Sequence, residues 1–156
     1  PETNAMHPNR YRQTLVQIGA HICPDPVLVP QLVSALFYQF QSIPNPIIRA
    51  IYFHHELIRI HPFADGNGRV TRIAKNWMLM YDLYPPIFIN DATQKKEYIS
   101  TLGNSFKQLL KQPQQWNEYT EKFFDQELDR LLINAQYLYD SINLIGINRE
   151  KTLSTK

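Results

Sequence analysis

Twelve consecutive residues, His61 to Arg72, combine the side chains that a phosphate-transfer reaction needs. They read His-Pro-Phe-Ala-Asp-Gly-Asn-Gly-Arg-Val-Thr-Arg. An imidazole, with an ordinary pKa near 6.5, can accept a proton from an attacking hydroxyl. A carboxylate such as Asp65 can hold Mg²⁺, which prefers one or two carboxylates together with substrate phosphates. The segment therefore predicts a site that binds a polyphosphate.

The glycines in this segment predict a sharp turn that opens a helix. Gly66-Asn67-Gly68 allows the backbone to expose N–H groups, and the apolar residues that follow recur at roughly helical spacing: Val70, Ile73, Ala74, Trp77, Met78 and Met80. Arg69 and Arg72 would then lie three apart on the first turns. Cations oppose the positive end of a helix dipole, so an external anion explains them better. The alternative is a helix-capping loop whose arginines pair with carboxylates elsewhere.

This segment resembles the signature of the Fic family of nucleotide-dependent transferases, His-x-Phe-x-Asp/Glu-Gly-Asn-Gly-Arg-x-x-Arg, and every signature position matches. Further resemblance lies in Tyr11-Arg12 through Gly19, Pro24–Pro30, His54, Asn76, Tyr84 to Ile87 and Trp116 to Phe124. It covers roughly residues 10 to 130. The resemblance implies an all-α fold, a Fic-type helical bundle with a small β-hairpin flap.

The resemblance also implies roles for single residues of the motif. His61 would be the general base that deprotonates a target hydroxyl. Asp65 would bind Mg²⁺ between the α- and β-phosphates. Phe63 would anchor the loop in the core without taking part in the chemistry.

The rest of the motif is implied to bind the nucleotide. Gly66, Asn67 and Gly68 would form an anion hole, with Asn67 also touching the α-phosphate. Arg69 and Arg72 would hold the outer phosphates, Arg72 contacting the γ-phosphate.

The implied activity is protein adenylyl transfer, with Mg²⁺ as cofactor and ATP as co-substrate. A Ser, Thr or Tyr hydroxyl of a target protein, or of this protein itself, would attack the α-phosphorus and release pyrophosphate. Three alternatives stay open: a phosphotransferase of the same fold, an enzyme that removes AMP, and a module that binds a nucleotide without turnover.

The family's flap is expected within Thr14–Gly19. Alternation along a strand would put Val16 and Ile18 on one face and Leu15 and Gln17 on the other. An exposed strand edge could then pair with an extended target segment and present its hydroxyl to the base. The alternative is a small hairpin that only packs on the helices.

For three residues outside the motif, a structural role has to be considered beside a functional one. Tyr98 falls where family members often place an aromatic near the adenine, but an ordinary core tyrosine explains it equally well. His54 is expected to be a buried structural histidine. Cys23, the single cysteine, cannot form an internal disulfide, is expected to be a packing residue, and suits a reducing compartment.

Length and composition suit one catalytic domain. We expect a disordered or artificial N-terminus at residues 1–9, the Fic domain at 10–145 and a mobile tail at 146–156. A net charge of +2 is too small to argue for nucleic acid. No stretch approaches the ~20 apolar residues that span a bilayer, and no secretory leader is recognised, so we expect a cytoplasmic protein without a membrane partner.

Helices dominate the predicted organisation. The first is expected at Pro26–Gln41, and the second begins at Asn45-Pro46 and ends near Ile60. The third follows the motif and ends before Tyr84-Pro85-Pro86. The last stretches are expected at Thr93 to Lys111 and Gln114 to about Leu144, with Pro113 between them.

Regulation leaves no recognisable motif in this sequence. Many family members carry an inhibitory helix with Ser/Thr-x-x-x-Glu-Gly/Asn, whose glutamate pairs with the second motif arginine. The nearest segment here, Thr93 to Glu97, is followed by Tyr98 and is interpreted as a helix start. We therefore expect either an inhibitory helix upstream of a fragment or an antitoxin-like partner chain. A homodimer is left open.

Overall fold

The computed structural model describes residues 10–113 and 116–154, with side chains as far as residue 145, and within these ranges it contains five α-helices and one hairpin. In chain order these are β1 (Gln17–Ile18), β2 (His21–Ile22), α1 (Val29–Gln41), α2 (Pro46–Ile60), α3 (Asn67–Tyr81), α4 (Ala92–Lys111) and α5 (Glu118–Ser154). The predicted fold class, a helical bundle with a small hairpin, is confirmed.

Helix α2 begins and ends where local sequence chemistry predicts. The Asn45 side-chain oxygen accepts hydrogen bonds from the N–H groups of the first turn, both at 3.0 Å, and Pro46 takes the first helical position, where no N–H is needed. The helix stops after Ile60 because His61 turns into the left-handed region, with φ 51° and ψ 61°. This end delivers His61 to the motif loop.

Helix α3 starts directly from the motif. Gly66 precedes it with φ 80°, a conformation that suits glycine, and the helix then runs from Asn67 to Tyr81. Beyond its end, Asp82 accepts a hydrogen bond from Arg49 of α2 at 2.9 Å. The two helices that flank the motif are therefore also joined near the carboxyl end of α3, away from the motif.

The core consists of two apolar clusters, and α2 lies between them. One cluster contains Ala50, Ile51 and Ile58 of α2 with residues of α3, α4 and α5, among them Leu79, Leu102, Phe106, Phe123 and Leu131. The other contains Phe53, Leu57 and Ile60 of α2 with Val29, Val33 and Leu36 of α1. Because α2 is buried on both sides, its carboxyl end is a rigid support for the loop that follows.

A hairpin forms, with β1 and β2 antiparallel across a tight turn that contains Gly19 at φ 58°. It extends beyond the predicted range Thr14–Gly19, because its second strand is His21–Ile22, and Leu15 and Val16 precede its first strand. Val16 and Ile18 are half-buried, whereas Leu15 and Gln17 are exposed. The predicted division of these four side chains between two faces is therefore confirmed. Within the described residues, the face that carries Leu15 and Gln17 is open to solvent.

Helices α1, α3 and α4 match their predicted positions with small shifts. A 3₁₀ turn at Pro26–Leu28 leads into α1, and α4 begins one residue earlier than predicted. Helix α5 continues to Ser154, so its predicted end near Leu144 was wrong, and it passes the expected domain boundary at residue 145, while the predicted mobility of 146–156 stays a prediction. Residues 1–9 and Gln114 lie outside the described ranges. None of the helices in those ranges has the length and apolar character to cross a bilayer.

Candidate active site

His61 stands where α2 ends and the motif loop begins. Its Nδ1 atom is buried, which leaves Nε2 as the ring nitrogen that can meet a substrate hydroxyl. Burial is the main cause that lowers the pKa of His61, and the Ile58 carbonyl opposes it. The positive charges of Arg12 and His21 lower this pKa further, while the Asp65 carboxylate raises it. The lowered pKa favours the neutral imidazole near pH 7, the form that can accept a proton.

The motif loop is closed by the side chain of Asn67, which is only 3% exposed. The Phe63 N–H donates to Asn67 Oδ1 at 2.8 Å, and Asn67 Nδ2 donates to the Phe63 carbonyl at 2.7 Å. One turn later, the Thr71 hydroxyl donates to the Asn67 carbonyl. Both polar ends of the Asn67 side chain are thus engaged inside the loop, and its backbone N–H is the group left for the predicted phosphate contact.

Phe63 itself differs from its predicted place. It is half-buried and lies outside both apolar clusters. Its ring packs against Tyr11, with the centroids 6.2 Å apart. Phe63 therefore anchors the loop against the segment that leads into the hairpin, because the loop leaves the core at the carboxyl end of α2. The prediction of a core anchor was wrong.

The amino end of α3 offers the backbone donors on which the predicted anion cradle depends. The first hydrogen bond of the helix runs from the Val70 N–H to the Gly66 carbonyl at 2.9 Å. The N–H groups of Asn67, Gly68 and Arg69 precede it and have no partner within the helix. Together with the helix dipole, these groups create a positive site at the surface.

Both motif arginines fold back onto the glycines at the start of α3. A β-carbon built on Gly66 would lie 3.7 Å from Arg69 Nη2, and one built on Gly68 would lie 3.2 Å from Arg72 Nη1. Two guanidinium groups at the positive end of a helix repel each other and the dipole unless an anion joins them. The structure therefore brings together the arginines and glycines that the motif predicted.

Asp65 offers one carboxylate at the mouth of the cradle. Its side chain is 57% exposed, and its Oδ2 lies 3.2 Å from Arg69 Nη2. The described residues contain no cluster of three or more metal-ligating side chains. A lone exposed carboxylate beside a phosphate cradle fits Mg²⁺, which takes most of its ligands from phosphates and water, better than a metal held by protein alone.

Tyr98 is a core tyrosine that also lines a groove beside the motif. It is 6% exposed, and its hydroxyl lies 2.8 Å from Nε2 of His54. His54 is fully buried as predicted, and burial lowers its pKa to about 4, so Nε2 can accept the hydroxyl proton. The same tyrosine lines an apolar groove of about 1020 Å³ that also contacts Arg69, Arg72, Ile73, Trp77, Met80 and Ile87. Its contact with adenine stays a prediction.

A buried ionic cluster behind the motif was missed by sequence reasoning. Lys75 of α3 donates to Glu127 Oε2, Arg130 donates to Glu127 Oε1 at 2.7 Å, and His54 Nδ1 lies 3.7 Å from Glu127. Burial raises the pKa of Glu127, but the hydrogen bonds and charges of His54 and Lys75 outweigh it, and the net effect lowers that pKa to about 2. The cluster fastens α3 to α5. No sequence signal relates charges 52 residues apart.

Two residues near the hairpin were also missed. His21 is 2% exposed, with Nε2 3.1 Å from the Arg59 carbonyl and its ring against Phe106. Arg12, also 2% exposed, contacts the carbonyl of His61. Arg12 belongs to the context that resembles the Fic family, but the sequence alone assigned it no role.

The assembled site has a neutral imidazole and an anion cradle on the two sides of a five-residue loop, 62–66. An oxyanion or phosphate in the cradle would be held by backbone N–H groups and two guanidiniums. The base would act on a hydroxyl beside that phosphate. This is the chemistry of a phosphoryl or nucleotidyl transfer.

Comparison with known proteins supports this assignment. The Fic/DOC family model matches residues 3–79. The chain is 36% identical over 92 residues to a protein adenylyltransferase Fic from Drosophila willistoni, and equally so to one from Culex quinquefasciatus. Each alignment covers 56% of this chain but only 18% of the relative. The chain therefore spans about a fifth of the length of these curated relatives.

Solved structures share the fold. A Fic-domain-containing signalling protein from Bacteroides thetaiotaomicron superposes with a TM-score of 0.56 at 24% identity, covering 83% of this chain and 49% of that protein. A Fic family protein from Desulfovibrio desulfuricans gives a TM-score of 0.60 at 21% identity, covering 82% of this chain and 41% of that protein. At this identity the likeness concerns the fold alone.

Proposed function

Because the chain belongs to the Fic/DOC family, we propose that it is a protein adenylyltransferase, which transfers AMP from ATP to a Ser, Thr or Tyr hydroxyl and releases pyrophosphate. The hydroxyl would belong to a target protein or to this protein itself. One observation carries the proposal. His61, whose pKa is lowered by burial, and an anion cradle beside Arg69 and Arg72 lie at the two ends of one five-residue loop.

The proposed step begins at His61. The hydroxyl oxygen attacks the α-phosphorus of ATP while its proton passes to Nε2 of His61. The bond between the α-phosphorus and the oxygen that bridges to the β-phosphate breaks, and pyrophosphate leaves with the electron pair. The lowered pKa of His61 keeps the imidazole deprotonated before the reaction, which is the state that a base requires.

The cradle orients the phosphates for this attack. The N–H groups of Asn67, Gly68 and Arg69 donate to phosphate oxygens, and the two guanidiniums bind the outer phosphates. Arg72 reaches back over Gly68 because that residue has no side chain. The main contribution of these groups is positioning and charge stabilisation, as transfers of phosphorus groups require.

Asp65 is proposed to hold Mg²⁺. When bound, the ion would neutralise part of the charge on the phosphates and on the leaving pyrophosphate. Asp65 now pairs with Arg69, so that guanidinium would exchange the carboxylate for a phosphate when the nucleotide enters. The pairing holds both side chains at the mouth of the cradle before the nucleotide arrives.

The hairpin is proposed to dock the target. Leu15 and Gln17 are exposed beside a strand edge of β1 that could accept an extended segment as an added strand. Val16 and Ile18 are half-buried, so this face of the hairpin would lie against the domain. Docking along the backbone would tolerate many target sequences and still bring one hydroxyl towards His61.

We propose that the reaction takes place in the cytoplasm, since the buried free thiol of Cys23 suits a reducing compartment.

Thr93 to Glu97 lies in the first turns of α4, which supports its interpretation as a helix start. An inhibitory glutamate would therefore come from an additional segment or an antitoxin-like chain. Tyr98 as an adenine contact and assembly as a homodimer belong to the same proposal.

The position of a radiolabel tests this proposal directly. The chain is incubated with Mg²⁺ and ATP labelled at the α- or the γ-phosphate, alone and with a cell lysate, beside H61A. Protein labelled from α-ATP only, and only with His61 intact, is the expected result. Transfer of γ-label would indicate a phosphotransferase, and ATP binding without any transfer would indicate a binding module. Release of AMP from labelled protein would indicate the reverse activity.

A further inference from the structure

Arg12 is buried to an unusual degree for an arginine, with 2% of its surface exposed. Among the described residues it forms no ion pair with a carboxylate. A buried charge is costly unless hydrogen bonds satisfy it. All four contacts of its guanidinium are with backbone carbonyl oxygens, those of Thr14, Pro24, Ile60 and His61.

Two of these carbonyls belong to the two ends of the hairpin. Nη1 of Arg12 donates to the Thr14 carbonyl at 2.8 Å, and Nη2 donates to the Pro24 carbonyl. Thr14 precedes β1 and Pro24 follows β2. One guanidinium therefore joins the segments that enter and leave the hairpin.

The other two carbonyls lie at the carboxyl end of α2. Nε of Arg12 donates to the His61 carbonyl at 2.8 Å, and Nη2 reaches the Ile60 carbonyl at 3.4 Å. Carbonyls at this end of a helix lack partners within the helix and carry the negative end of its dipole, so a cation is favourable there. His61 has a left-handed backbone, which residues other than glycine rarely adopt and which surrounding bonds must hold.

The backbone and a second side chain extend this connection. The N–H of Arg12 donates to the Pro62 carbonyl at 2.8 Å. His21 of β2 binds the Arg59 carbonyl at 3.1 Å. Four consecutive carbonyls, from residue 59 to residue 62, are thus bonded by Arg12 and His21. This arrangement ties the helix end that carries the imidazole to the hairpin.

We propose that Arg12 is a positioning residue that fixes the hairpin and His61 as one unit, so that a segment docked on the hairpin meets Nε2 of His61 in one defined geometry. The inference rests on the proposed function, since it takes His61 as the base and the hairpin as the docking edge. Arg12 does not touch the reacting atoms. It acts through the backbone of His61 and through both ends of the hairpin.

The charge of Arg12 has a second effect on the same imidazole. Burial lowers the pKa of His61 most, and the positive charges of Arg12 and His21 add to this. The Ile58 carbonyl and the Asp65 carboxylate oppose it. Removal of the Arg12 charge should therefore raise the pKa of His61, whereas a lysine at this position should keep it low but form fewer of the four bonds.

The test compares R12K and R12M with R49K and R49M. Arg49 is a matched control because it joins α2 to Asp82 and contacts neither the hairpin nor His61. Three quantities are measured in each protein: the His61 pKa by NMR titration, hydrogen exchange of the Cys23 amide, which donates to Val16 at 3.1 Å, and the rate of AMP transfer from α-labelled ATP. Circular dichroism first verifies the fold, and R12K keeps the test informative if R12M unfolds.

The inference predicts a response confined to the Arg12 variants. In R12M the His61 pKa rises, exchange of the Cys23 amide accelerates and transfer falls by about 10²-fold, the loss that a small misplacement of reacting groups produces. In R12K the pKa stays near the wild-type value, while exchange accelerates and transfer falls by about tenfold. If both Arg12 variants transferred AMP at the wild-type rate, or if the Arg49 variants lost as much activity as the Arg12 variants, this inference alone would be overturned. Absence of transfer in the wild-type protein would overturn the proposed function.

Discussion

The guanidinium of Arg72 lies directly over Gly68, with Nη1 3.2 Å from the position that a β-carbon on that glycine would occupy. The backbone of Gly68 has an ordinary helical conformation, so glycine is not needed there for an unusual turn. The absence of a side chain instead leaves room for Arg72. Gly66, by contrast, has φ 80° and is needed for the turn itself. The two glycines of the motif therefore have different physical tasks.

Replacement of Gly68 separates nucleotide binding from stability. In G68A the new methyl group would lie 3.2 Å from Arg72 Nη1, so this exposed guanidinium would shift by a few tenths of an ångström. Such a shift should weaken, without removing, a charge-assisted hydrogen bond worth about 1.5–3 kcal/mol, so we expect the Kd for ATP to rise by no more than about tenfold. Alanine in a helix is favoured over glycine by about 0.5–1 kcal/mol, so the fold should not be weakened. Calorimetric titration with ATP and urea unfolding measure the two effects.

Gly103 provides the matched control for that substitution. It lies in α4, and a β-carbon on it would have no atom within 4 Å. G103A should gain similar helical stability and leave the Kd for ATP unchanged. Equal ATP binding by G68A and G103A would contradict the role given to Arg72.

The pH dependence of AMP transfer should report the lowered pKa of His61. A base loses activity when it is protonated, so the acid limb of the rate profile should lie below the ordinary histidine value of about 6.5. The profile of kcat/KM for ATP against pH, measured by pyrophosphate release, reports this limb for the protein without bound nucleotide. An acid limb above that value would show that the imidazole is not shielded as the structure describes.

The buried pair of Lys75 and Glu127 should be worth more to the fold than a surface charge. K75M leaves the Glu127 carboxylate buried without its lysine, and removal of one partner of a buried pair costs about 3–5 kcal/mol. Because Arg130 remains bonded to Glu127, the lower end of that range is expected. Urea unfolding of K75M is compared with that of D125N, which removes an exposed charge on α5. D125N should change the free energy of unfolding by about 0.5 kcal/mol or less. Equal midpoints would refute the pairing.

Acid should destabilise the fold through His54. Its pKa is lowered to about 4 in the folded chain, so between the ordinary value of 6.5 and about 4 the unfolded chain binds a proton that the folded chain does not. The free energy of unfolding should therefore fall as pH falls through this window, by up to about 3 kcal/mol from this group. Below it, the contribution of Glu127 is lost as pH approaches its pKa of about 2.

Substitution of His54 tests that assignment. H54Q removes the titrating group, so its free energy of unfolding should change less between about pH 7 and about pH 5 than that of the wild-type chain. His21 and His61 also have lowered pKa values and keep part of the slope in both proteins. An unchanged pH dependence in H54Q would exclude His54 as the main source.

Features that depend on neighbouring residues could be predicted from the sequence. Asn45-Pro46 specifies the start of α2 because an asparagine side chain caps the turn that follows it. The turn at Gly66 and the alternation of Val16 and Ile18 follow from equally local rules. The motif therefore gave both the cradle and its place before α3.

Features that depend on tertiary packing could not be predicted in this way. Glu127 pairs with Lys75 only because α5 packs behind α3, and each charge alone resembles a surface residue. Arg12 finds its partners among backbone carbonyls, which have no signature in the side-chain sequence. Phe63 was misplaced for the same reason, since its packing against Tyr11 depends on where the chain before the hairpin lies.

The most direct test of the account is the effect of H61A on two quantities measured in the same preparation, the rate of AMP transfer and the Kd for ATP. We expect transfer to fall by about 10²–10⁴-fold, the usual contribution of a general base, while the Kd for ATP stays close to the wild-type value because the cradle is intact. Transfer by H61A at a rate near that of the wild-type protein would contradict the assignment of His61 as the base.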